Sequence, residues 1–381
     1  MENERAYQIC TRCIMDTSDP EIVFDEHGIC NHCREIEAIR QQYPHNLSPE
    51  EKHRALQEKV TEIQQAGKGG KYDCVIGVSG GIDSTYVAYL TKQLGLRPLA
   101  VHLDNGWNSE LAVHNIEKIC KQLDIDLYTY VLDWEEFRDL QVAFLKASTP
   151  DSEIPTDHAI HGLLYQTAAQ HSIKYMIIGC NFRTESVLPR TWSHGHYDWK
   201  YIQSLHKLYG KVPLKTYPNL SYPKWFYYKM LRGIRYFTIL DYVEYVKEDA
   251  KKTLQEHLEW EDYGGKHHES LYTKFFQSYI LPTKFGFDKR RMHLASLIGA
   301  GQLSRDQALQ EMQQEIYPPA ALKEDKEYVI KKLGLTAEEF QEMMNTPPKT
   351  FWDYPSYETS RVHQAITTLY KSIKDRKENP T

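Results

Sequence analysis

An α/β fold with a doubly wound parallel sheet is predicted by three features of the sequence. First, a short apolar run at 72–78 leads through a glycine turn into a helical pattern. Second, further apolar runs at 97–104, 127–132 and 175–180 alternate with helical segments. Strands that alternate with helices at this spacing are typical of parallel sheets. Third, the last part of the chain is mostly helical in pattern, which predicts a second, helical region.

The order of these patterns predicts four regions. A cysteine-bearing module occupies residues 1–45, and a polar linker helix occupies 46–70, with Ser48 as its N-cap. The sheet and its helices are expected over 71–250. The helical domain is expected over 251–381.

The glycine turn, Ser79-Gly-Gly-Ile-Asp-Ser-Thr85, predicts an anion-binding loop. A strand, a glycine turn and a helix in this order aim the free N–H groups of the helix N-terminus at one point. A phosphate is the expected occupant, and the hydroxyls of the turn are further donors. Gly80 and Gly81 are expected to let the backbone approach the anion closely. Because no lysine occurs between residues 79 and 91, the turn is not the P-loop of kinases and GTPases.

Two pairs of cysteines near the N-terminus predict a structural metal site. Two residues separate Cys10 from Cys13, and two residues separate Cys30 from Cys33. Four thiolates at this spacing fit the tetrahedral coordination of Zn²⁺, and a closed four-sulfur shell leaves no position for catalysis. The segment between the pairs is predicted to be a short hairpin, so the module is interpreted as a zinc ribbon.

Several polar and aromatic residues allow both a functional and a structural interpretation. Asp157 lies in the first turn of a predicted helix, where an acid stabilises the helix dipole or serves a ligand equally well. Residues 191–228 are rich in aromatic side chains, including Tyr197 and Trp199, which suit either the faces of a sugar or core packing. His267 begins a His-His-Glu sequence that suggests a metal or substrate site, although adjacent helical residues point apart.

The composition narrows the functional class. A net charge of −6 and a pI of about 6.3 give no general basic field for nucleic acid. No apolar run approaches the ~20 residues of a membrane span, and the N-terminus lacks the apolar stretch of a signal peptide. The seven cysteines are an odd number, which argues against a disulfide framework. These features predict a cytoplasmic chain that binds no nucleic acid and spans no membrane.

Five segments match one combination of motifs, at residues 10–19, 79–85, 179–185, 197–199 and 301–309. This combination resembles the N-acetyl sugar amidotransferases of bacterial surface-polysaccharide and nonulosonate biosynthesis. The glycine turn alone resembles the pyrophosphate-binding loop of their superfamily, the N-type ATP pyrophosphatases, or PP-loop proteins. The resemblance implies an adenine-nucleotide alpha hydrolase-like domain that uses ATP and Mg²⁺, beside a structural Zn²⁺.

The resemblance also implies a reaction. The acetamido oxygen of an N-acetylated sugar attacks the α-phosphorus of ATP, which gives an imidoyl adenylate and pyrophosphate. Ammonia then displaces AMP and leaves an acetamidino group. Adenylation is needed because an amide oxygen is a poor leaving group.

The same resemblance implies which residues act. The pyrophosphate and Mg²⁺ are expected at Ser79, Gly80, Gly81, Asp83, Ser84 and Thr85. The nucleotide is expected to contact Asp104 and Asn105, although an ordinary Asn-Gly turn explains this pair as well. Asn181 and Glu185 are implied for nucleotide or Mg²⁺ contact.

A basic cluster in the C-terminal region is the predicted source of further charge stabilisation. Its members are Lys284, Lys289, Arg290, Arg291 and His293. A departing pyrophosphate gains negative charge, and fixed cations stabilise it. Lys284 and Arg290 are the residues assigned to this role, and a solvated helix face is the alternative.

The source of nitrogen is expected to be a partner protein. Glutamine hydrolysis needs an activated nucleophile, and the three cysteines outside the metal site, Cys74, Cys120 and Cys180, lack the surroundings of one. The resemblance implies a glutaminase and a barrel protein similar to the two subunits of imidazole glycerol phosphate synthase.

Two rival functions follow from the same motifs. The first is a tRNA-thiolating enzyme, which needs a basic surface and additional reactive cysteines. The second is a non-catalytic scaffold that docks a partner through its cysteine module. ATP binding separates the scaffold from both enzymes.

Overall fold

The computed structural model describes residues 5–263 and 269–360. The strands are β1 (Cys74–Gly77), β2 (Pro98–Asp104), β3 (Asp126–Val131), β4 (Tyr175–Ile177) and β5 (Arg235–Phe237). The helices up to β4 are α1 (Asn31–Arg40), α2 (Pro49–Ala66), α3 (Ile82–Gln93), α4 (Glu110–Gln122), α5 (Trp134–Ala147) and α6 (Ile154–Gln170). Between β4 and the end of the sheet unit lie α7 (Phe182–Glu185), α8 (Trp199–Tyr209), α9 (Tyr222–Phe226) and α10 (Lys247–Leu258). The C-terminal helices are α11 (Leu271–Phe275), α12 (Arg290–Gly299), α13 (Arg305–Met312), α14 (Pro319–Lys332) and α15 (Ala337–Asn345).

The five strands form one parallel sheet in the order β3-β2-β1-β4-β5. In its register, Ile76 of β1 lies between Ala100 of β2 and Ile177 of β4. The predicted α/β class and parallel sheet are therefore confirmed. The chain reverses its direction of progress across the sheet between β1 and β4, and such a switch point is where doubly wound sheets bind ligands.

Apolar residues on both faces of the sheet explain its stability. On one face, β1 packs with α2, α3, α4 and α10 in a single buried cluster. On the other face lie α5 and α6, whose Phe137, Phe144 and Leu163 belong to the main core. Each such fully buried side chain contributes about 1.5–3 kcal/mol relative to an exposed one. The sheet is thus covered on both faces, as parallel sheets require.

Helix α2 differs from the linker expected at 46–70. Ser48 is its N-cap as predicted, because the Ser48 side chain accepts from the Glu51 N–H, and the Glu51 side chain accepts the Ser48 N–H in return, which forms a capping box. Its residues Leu56, Val60 and Ile63, however, are buried against the sheet. The helix is therefore a layer of the α/β unit.

The sequence patterns did not predict two elements of this unit, β5 and α5. Strand β5 has only three residues and lies within an aromatic-rich stretch without a clear period. Helix α5 follows β3 directly and begins at its Asp133 cap, which accepts from the Glu136 N–H. Both are recognisable only from their pairing or packing in the folded chain.

The cysteine module consists mainly of turns. Its hairpin is reduced to two isolated antiparallel bridges, Ile9–Asp16 and Phe24–Cys30. The second cysteine pair runs directly into α1, which buries His32, Cys33 and Ile36. The module packs against α12 and α13, through contacts described below.

Candidate functional site

The glycine turn forms a compact loop between β1 and α3. The Ser79 N–H donates to the Ser84 hydroxyl at 3.2 Å, and the two serine hydroxyls lie 3.1 Å apart. The Gly81 N–H donates to the Ser79 hydroxyl at 3.3 Å. Helix α3 begins at Ile82, so its first N–H groups open onto the same point. The loop has the donor arrangement expected of a phosphate site.

The two loop glycines are also required by packing, while their predicted role in close approach to an anion stays a prediction. Gly80 has a φ of +82°, and a Cβ on it would lie 2.8 Å from the Ala112 carbonyl of α4. A Cβ on Gly81 would lie 3.1 Å from the Tyr263 hydroxyl. A larger residue at Gly80 would therefore collide with neighbouring backbone before it met a ligand.

A cavity of about 350 Å³ opens beside this loop, at the carboxyl ends of β1, β2 and β4. The α/β unit contributes Ser79, Ser84, His102, Asn105, Asp157, His161 and Cys180 to its wall, among others. The C-terminal region contributes Glu269, Ser270, Thr273, Gln277 and Lys289. We call this space the loop cavity.

Main-chain hydrogen bonds join the two walls of the loop cavity. The Ser109 N–H donates to the Glu269 carbonyl at 2.8 Å, and the Leu271 N–H donates to the Trp107 carbonyl at 2.9 Å. Asn108 and Ser270 form an antiparallel bridge between these bonds. The cavity is therefore built jointly by two distant parts of the chain.

Only some of the predicted loop and nucleotide residues lie in the wall of the loop cavity. Ser79, Ser84 and Asn105 line the loop cavity. Thr85 is buried behind the loop, and its N–H donates to the Gly81 carbonyl. Asp104 instead accepts the Gly106 N–H at 2.8 Å, as in an ordinary turn. These positions correct the assignment of Thr85 and Asp104 as direct ligand contacts.

The predicted contact of Asn181 with the nucleotide or Mg²⁺ is also corrected. Its side-chain oxygen accepts the Thr184 N–H at 3.0 Å and caps α7. Its amide donates to the Gly179 carbonyl and to the Thr184 hydroxyl. Because both ends of the buried amide are occupied within the α7 turn, Asn181 shapes the end of β4.

Asp83 and Glu185 form an acidic pair next to the loop. The Tyr245 hydroxyl donates to Asp83. Burial, followed by the charges of Asp83 and then of Glu185, raises the pKa of Tyr245. Burial also raises the pKa of the Cys180 thiol, with Glu185 and Asp83 adding to the effect. Two carboxylates close to phosphate-binding hydroxyls fit the oxygen-ligand preference of Mg²⁺.

The predicted contact of Lys284 and Arg290 with pyrophosphate is also corrected by the structure. The Lys284 ammonium donates to the carbonyls of Met343, Met344 and Thr346, the last at 2.8 Å. It therefore caps the C-terminus of α15, where carbonyls lack helical partners.

Arg290 likewise serves the C-terminal region. Its guanidinium pairs with Asp288 at 2.8 Å and donates to the carbonyls of Glu311 and Gln314 at the end of α13. Arg290 borders a neighbouring cavity of about 450 Å³, which shares Gln277 and Lys289 with the loop cavity.

The lysine that lines the loop cavity is Lys289. Its ammonium lies 3.7 Å from the Glu153 carboxylate, with both side chains less than 15% exposed. The charges of Glu153, Asp151 and Asp157 outweigh burial and raise its pKa, so it stays cationic. Lys289 belongs to the predicted basic cluster, but sequence alone did not distinguish it from Lys284.

The remaining substrate predictions have mixed outcomes. The Trp199 ring packs in a cluster with His158 and Tyr217, with ring centroids 5.5 and 5.8 Å from its own. Tyr197 is 52% exposed and contacts the His161 ring at 4.5 Å. His267 lies outside the described residues.

Asp157 does face the loop cavity, and His196 contacts it from behind the cavity wall. The His196 Nε2 lies 3.4 Å from Asp157, 3.3 Å from Asp151 and 2.9 Å from the Ser193 hydroxyl. Burial raises the pKa of Asp157 to about 6. Although burial opposes it, the bond with His196 lowers the pKa of Asp151 to about 2. No sequence motif indicated His196, because Asp151 and Asp157 meet it only through the fold.

The four predicted metal ligands converge. The ligand atoms of Cys10, Cys13, Cys30 and Cys33 lie within 4.8 Å of one another and are buried. The N–H groups of Arg12, Cys13 and Cys30 point to the Cys10 sulfur at 3.3–3.4 Å. Such bonds orient and stabilise metal-bound thiolates. The donor set fits a structural zinc ion, which it would hold without an open position.

The other three cysteines are poor nucleophiles. Burial raises the pKa of Cys120 to about 12, and it also raises the pKa of Cys74 and Cys180. A thiol is unreactive when it is held in its protonated form. The interpretation that none of them is activated for glutamine hydrolysis agrees with these environments.

Comparison with known proteins identifies two regions of the chain. Residues 50–211 match the NAD synthase family, and residues 269–370 match the family described as LPS biosynthesis protein WbpG-like, C-terminal domain. An uncharacterized protein of Methanocaldococcus jannaschii is 23% identical over 319 residues, which cover 81% of this chain and 94% of that protein.

Two further proteins show similarity to this chain. The glutamine-hydrolyzing GMP synthase of Pyrobaculum aerophilum is 26% identical over 194 residues, covering 50% of this chain and 34% of that protein. Among solved structures, the NH3-dependent NAD synthetase of Campylobacter jejuni is 15% identical, with a TM-score of 0.32 over 76% of this chain and 98% of that one. Within the described residues, no helix is long and apolar enough to cross a bilayer.

Proposed function

Because this chain belongs to an N-acetyl sugar amidotransferase-like family of the PP-loop superfamily, we propose that it converts an acetamido group of a sugar into an acetamidino group. The reaction consumes ATP and ammonia and releases AMP and pyrophosphate. The product serves bacterial surface-glycan assembly, as part of an O-antigen or a nonulosonate.

One observation supports this proposal above the others. The loop cavity is shared between the pyrophosphate-loop region and the WbpG-like domain, which contributes Thr273, Gln277 and Lys289. A nucleotide and a second substrate can therefore meet in one space. This is the requirement for transfer of an adenylyl group to an acceptor.

The side chains divide the chemical work. Ser79 and Ser84, with the N-terminus of α3, bind the phosphates, and Lys289 offsets the charge that develops on pyrophosphate. Asp83 and Glu185 would hold Mg²⁺, which would neutralise phosphate charge when bound. Asn105, buried at the end of β2, is positioned to orient the nucleotide.

The nucleotide products test the proposal. Purified protein is incubated with ATP, Mg²⁺, ammonium chloride and a panel of diacetamido sugars, both free and nucleotide-linked. We expect AMP and pyrophosphate, and a sugar product about one mass unit lighter, since NH replaces O. ADP as the main product would contradict the proposal.

A matched pair of variants assigns the activity to the loop. Asp83→Asn is expected to lower AMP formation by about a hundredfold or more, because it removes a carboxylate beside the phosphates. Asp126→Asn serves as the control. Asp126 is the first residue of the edge strand β3, and its carboxylate pairs with Lys71. Equal loss in both variants would point to a general effect on folding.

A further inference from the structure

The group formed by Asp151, Asp157, Ser193 and His196 has an arrangement that phosphate binding does not require. We call it the His196 relay. Asp151 precedes α6 and is buried, whereas the Asp157 side chain is 45% exposed to the loop cavity. His196 lies between the two carboxylates.

The three contacts of the His196 side chain meet at one nitrogen atom, and the Ser193 hydroxyl also donates to Asp151. The Nε2 of His196 is 2.9–3.4 Å from the Ser193 hydroxyl, from Asp151 and from Asp157. A single N–H cannot donate to three groups at once, so a proton on this nitrogen has alternative acceptors. The His196 backbone is fixed as well, because the buried His158 donates to its carbonyl at 2.7 Å.

The two carboxylates have different protonation equilibria. The pKa of Asp151 is about 2, and that of Asp157 is about 6, since burial of Asp157 is only partly offset by His196. Pairs of titratable groups whose surroundings separate their pKa values are typical of acid–base sites. Of the two carboxylates, Asp157 is the one whose pKa lies closer to neutral pH.

The other charged groups near Asp157 favour a small cation. Glu153 and Lys289 form a pair on the same wall, and the positive charge of His196 faces the negative charge of Asp151. Burial lowers the pKa of His158 to about 4 and that of His161 to about 3, so both are neutral. With Asp157 ionised, the group carries one excess negative charge.

The His196 relay also borders a second cavity. Asp151 and Ser193 line a second cavity of about 240 Å³, whose wall includes Trp192, Tyr201 and Trp352. His196 connects the two cavity walls, because its Nε2 contacts Asp151 of this cavity and Asp157 of the loop cavity.

We infer that the His196 relay binds ammonium and removes its proton, with Asp157 as the base and His196 as the positioning residue. The inference rests on the proposed function. Ammonium, the form that dominates at neutral pH, has no lone pair and cannot attack a carbon atom. The site must therefore remove one proton before nitrogen transfer.

The step balances as follows. One N–H proton passes from ammonium to the Asp157 carboxylate, which leaves neutral ammonia and a carboxylic acid. The ammonia lone pair forms the C–N bond to the carbon of the neutral imidoyl adenylate, one ammonia proton moves to the imidoyl nitrogen, and the C–O bond breaks with its electron pair on AMP. The product is an amidinium group. Asp157 then returns its proton to water in the loop cavity, to which its side chain is exposed.

The decisive variant is Asp157→Asn, assayed in the full-length protein. With ammonium chloride, amidine formation is expected to fall by about a hundredfold or more, as for loss of a general base. Sugar-dependent exchange of pyrophosphate into ATP, which precedes nitrogen transfer, is expected to stay unchanged. Asp126→Asn is the matched control.

A second nucleophile separates the base from a structural role. Hydroxylamine is largely unprotonated at neutral pH, so it needs no base. Asp157→Asn is expected to use hydroxylamine at the wild-type rate. An equal loss with hydroxylamine and ammonium would overturn the assignment.

The pH dependence of the rate is an independent test of Asp157 as the base. Below about 6 the Asp157 carboxyl is protonated and cannot accept a proton, so the wild-type rate with ammonium falls as pH decreases through that value. His196→Gln removes a charge that lowers the pKa of Asp157, so this limb moves to higher pH.

The outcomes distinguish the two proposals. If the wild-type protein forms no amidine and catalyses no sugar-dependent exchange with the panel, the proposed function fails and the relay fails with it. If the wild type is active and Asp157→Asn keeps its rate and pH profile, the relay is wrong while the function stands.

Discussion

Lys284 and Lys289 are five residues apart, yet their ammonium groups have unrelated environments. Lys284 donates to three carbonyls at the end of α15, whereas Lys289 faces the loop cavity beside Glu153. The sequence shows two equivalent lysines in a basic cluster. The fold turns one towards a helix terminus and the other towards the phosphates.

The substitution of each lysine by methionine is expected to have a different effect. Lys284→Met should lower the free energy of unfolding by about 1–3 kcal/mol, because buried carbonyls lose a charged donor, and should leave the KM for ATP unchanged. Lys289→Met should abolish pyrophosphate exchange. Urea denaturation and exchange kinetics measure the two effects.

A double variant controls for the ion pair of Lys289. Removing one partner of a buried pair costs about 3–5 kcal/mol, because the other charge is left uncompensated. Lys289→Met combined with Glu153→Gln removes both charges and should recover much of that stability without recovering activity. Recovered activity in the double variant would show that Lys289 only neutralises Glu153.

Among the elements, the cysteine module affects the site through two contacts. The Arg305 guanidinium of α13 donates to the carbonyls of Cys10 and Cys13 at 3.0–3.2 Å. The Thr191 hydroxyl donates to Asp19 at 3.0 Å, which fixes the segment that leads to His196. The module thus supports both the C-terminal domain and the relay.

Loss of metal is therefore expected to affect catalysis as well as local folding. The purified protein should contain about one equivalent of zinc, at a four-sulfur site. Cys30→Ser should lose the metal and lower both thermal stability and amidine formation, because ribbon folding and metal binding are coupled. Metal analysis and calorimetry measure these changes.

Cys120→Ser provides the control, since this thiol is buried against the sheet and far along the chain from the module. It should keep the full zinc content. A Cys30→Ser protein that retains its zinc would remove the assignment of the site.

At the scale of the whole molecule, the source of ammonia is the open functional question. Outside the four-cysteine metal site, the described residues offer no low-pKa thiol, because burial raises the pKa of Cys74, Cys120 and Cys180. We propose that a glutaminase and a barrel protein deliver ammonia to this chain. Their docking would place the outlet near the loop cavity.

Separate nitrogen sources test this proposal. The purified chain is expected to form amidine with a high concentration of ammonium chloride and none with glutamine, since it lacks an activated nucleophile. Addition of the glutaminase and barrel partners should allow glutamine to support the reaction. Glutamate release by the chain alone, abolished in Cys180→Ala, would contradict it.

The sequence by itself determined the local elements. The apolar runs before each turn located four of the five strands, and the capping pattern at Ser48 located the start of α2. The spacing of the cysteine pairs identified a four-thiol cluster. These signals are local, because strand periodicity, helix capping and ligand spacing each depend on residues close in the chain.

Only the tertiary structure decided which polar side chains share the site. Asp104, Thr85 and Asn181 fit the motif pattern, but their polar groups bond within their own turns or helices. Lys289 and His196 reach the cavity from other parts of the chain. The direction of a side chain depends on the packing of the element that carries it, and that packing is set by contacts distant in sequence.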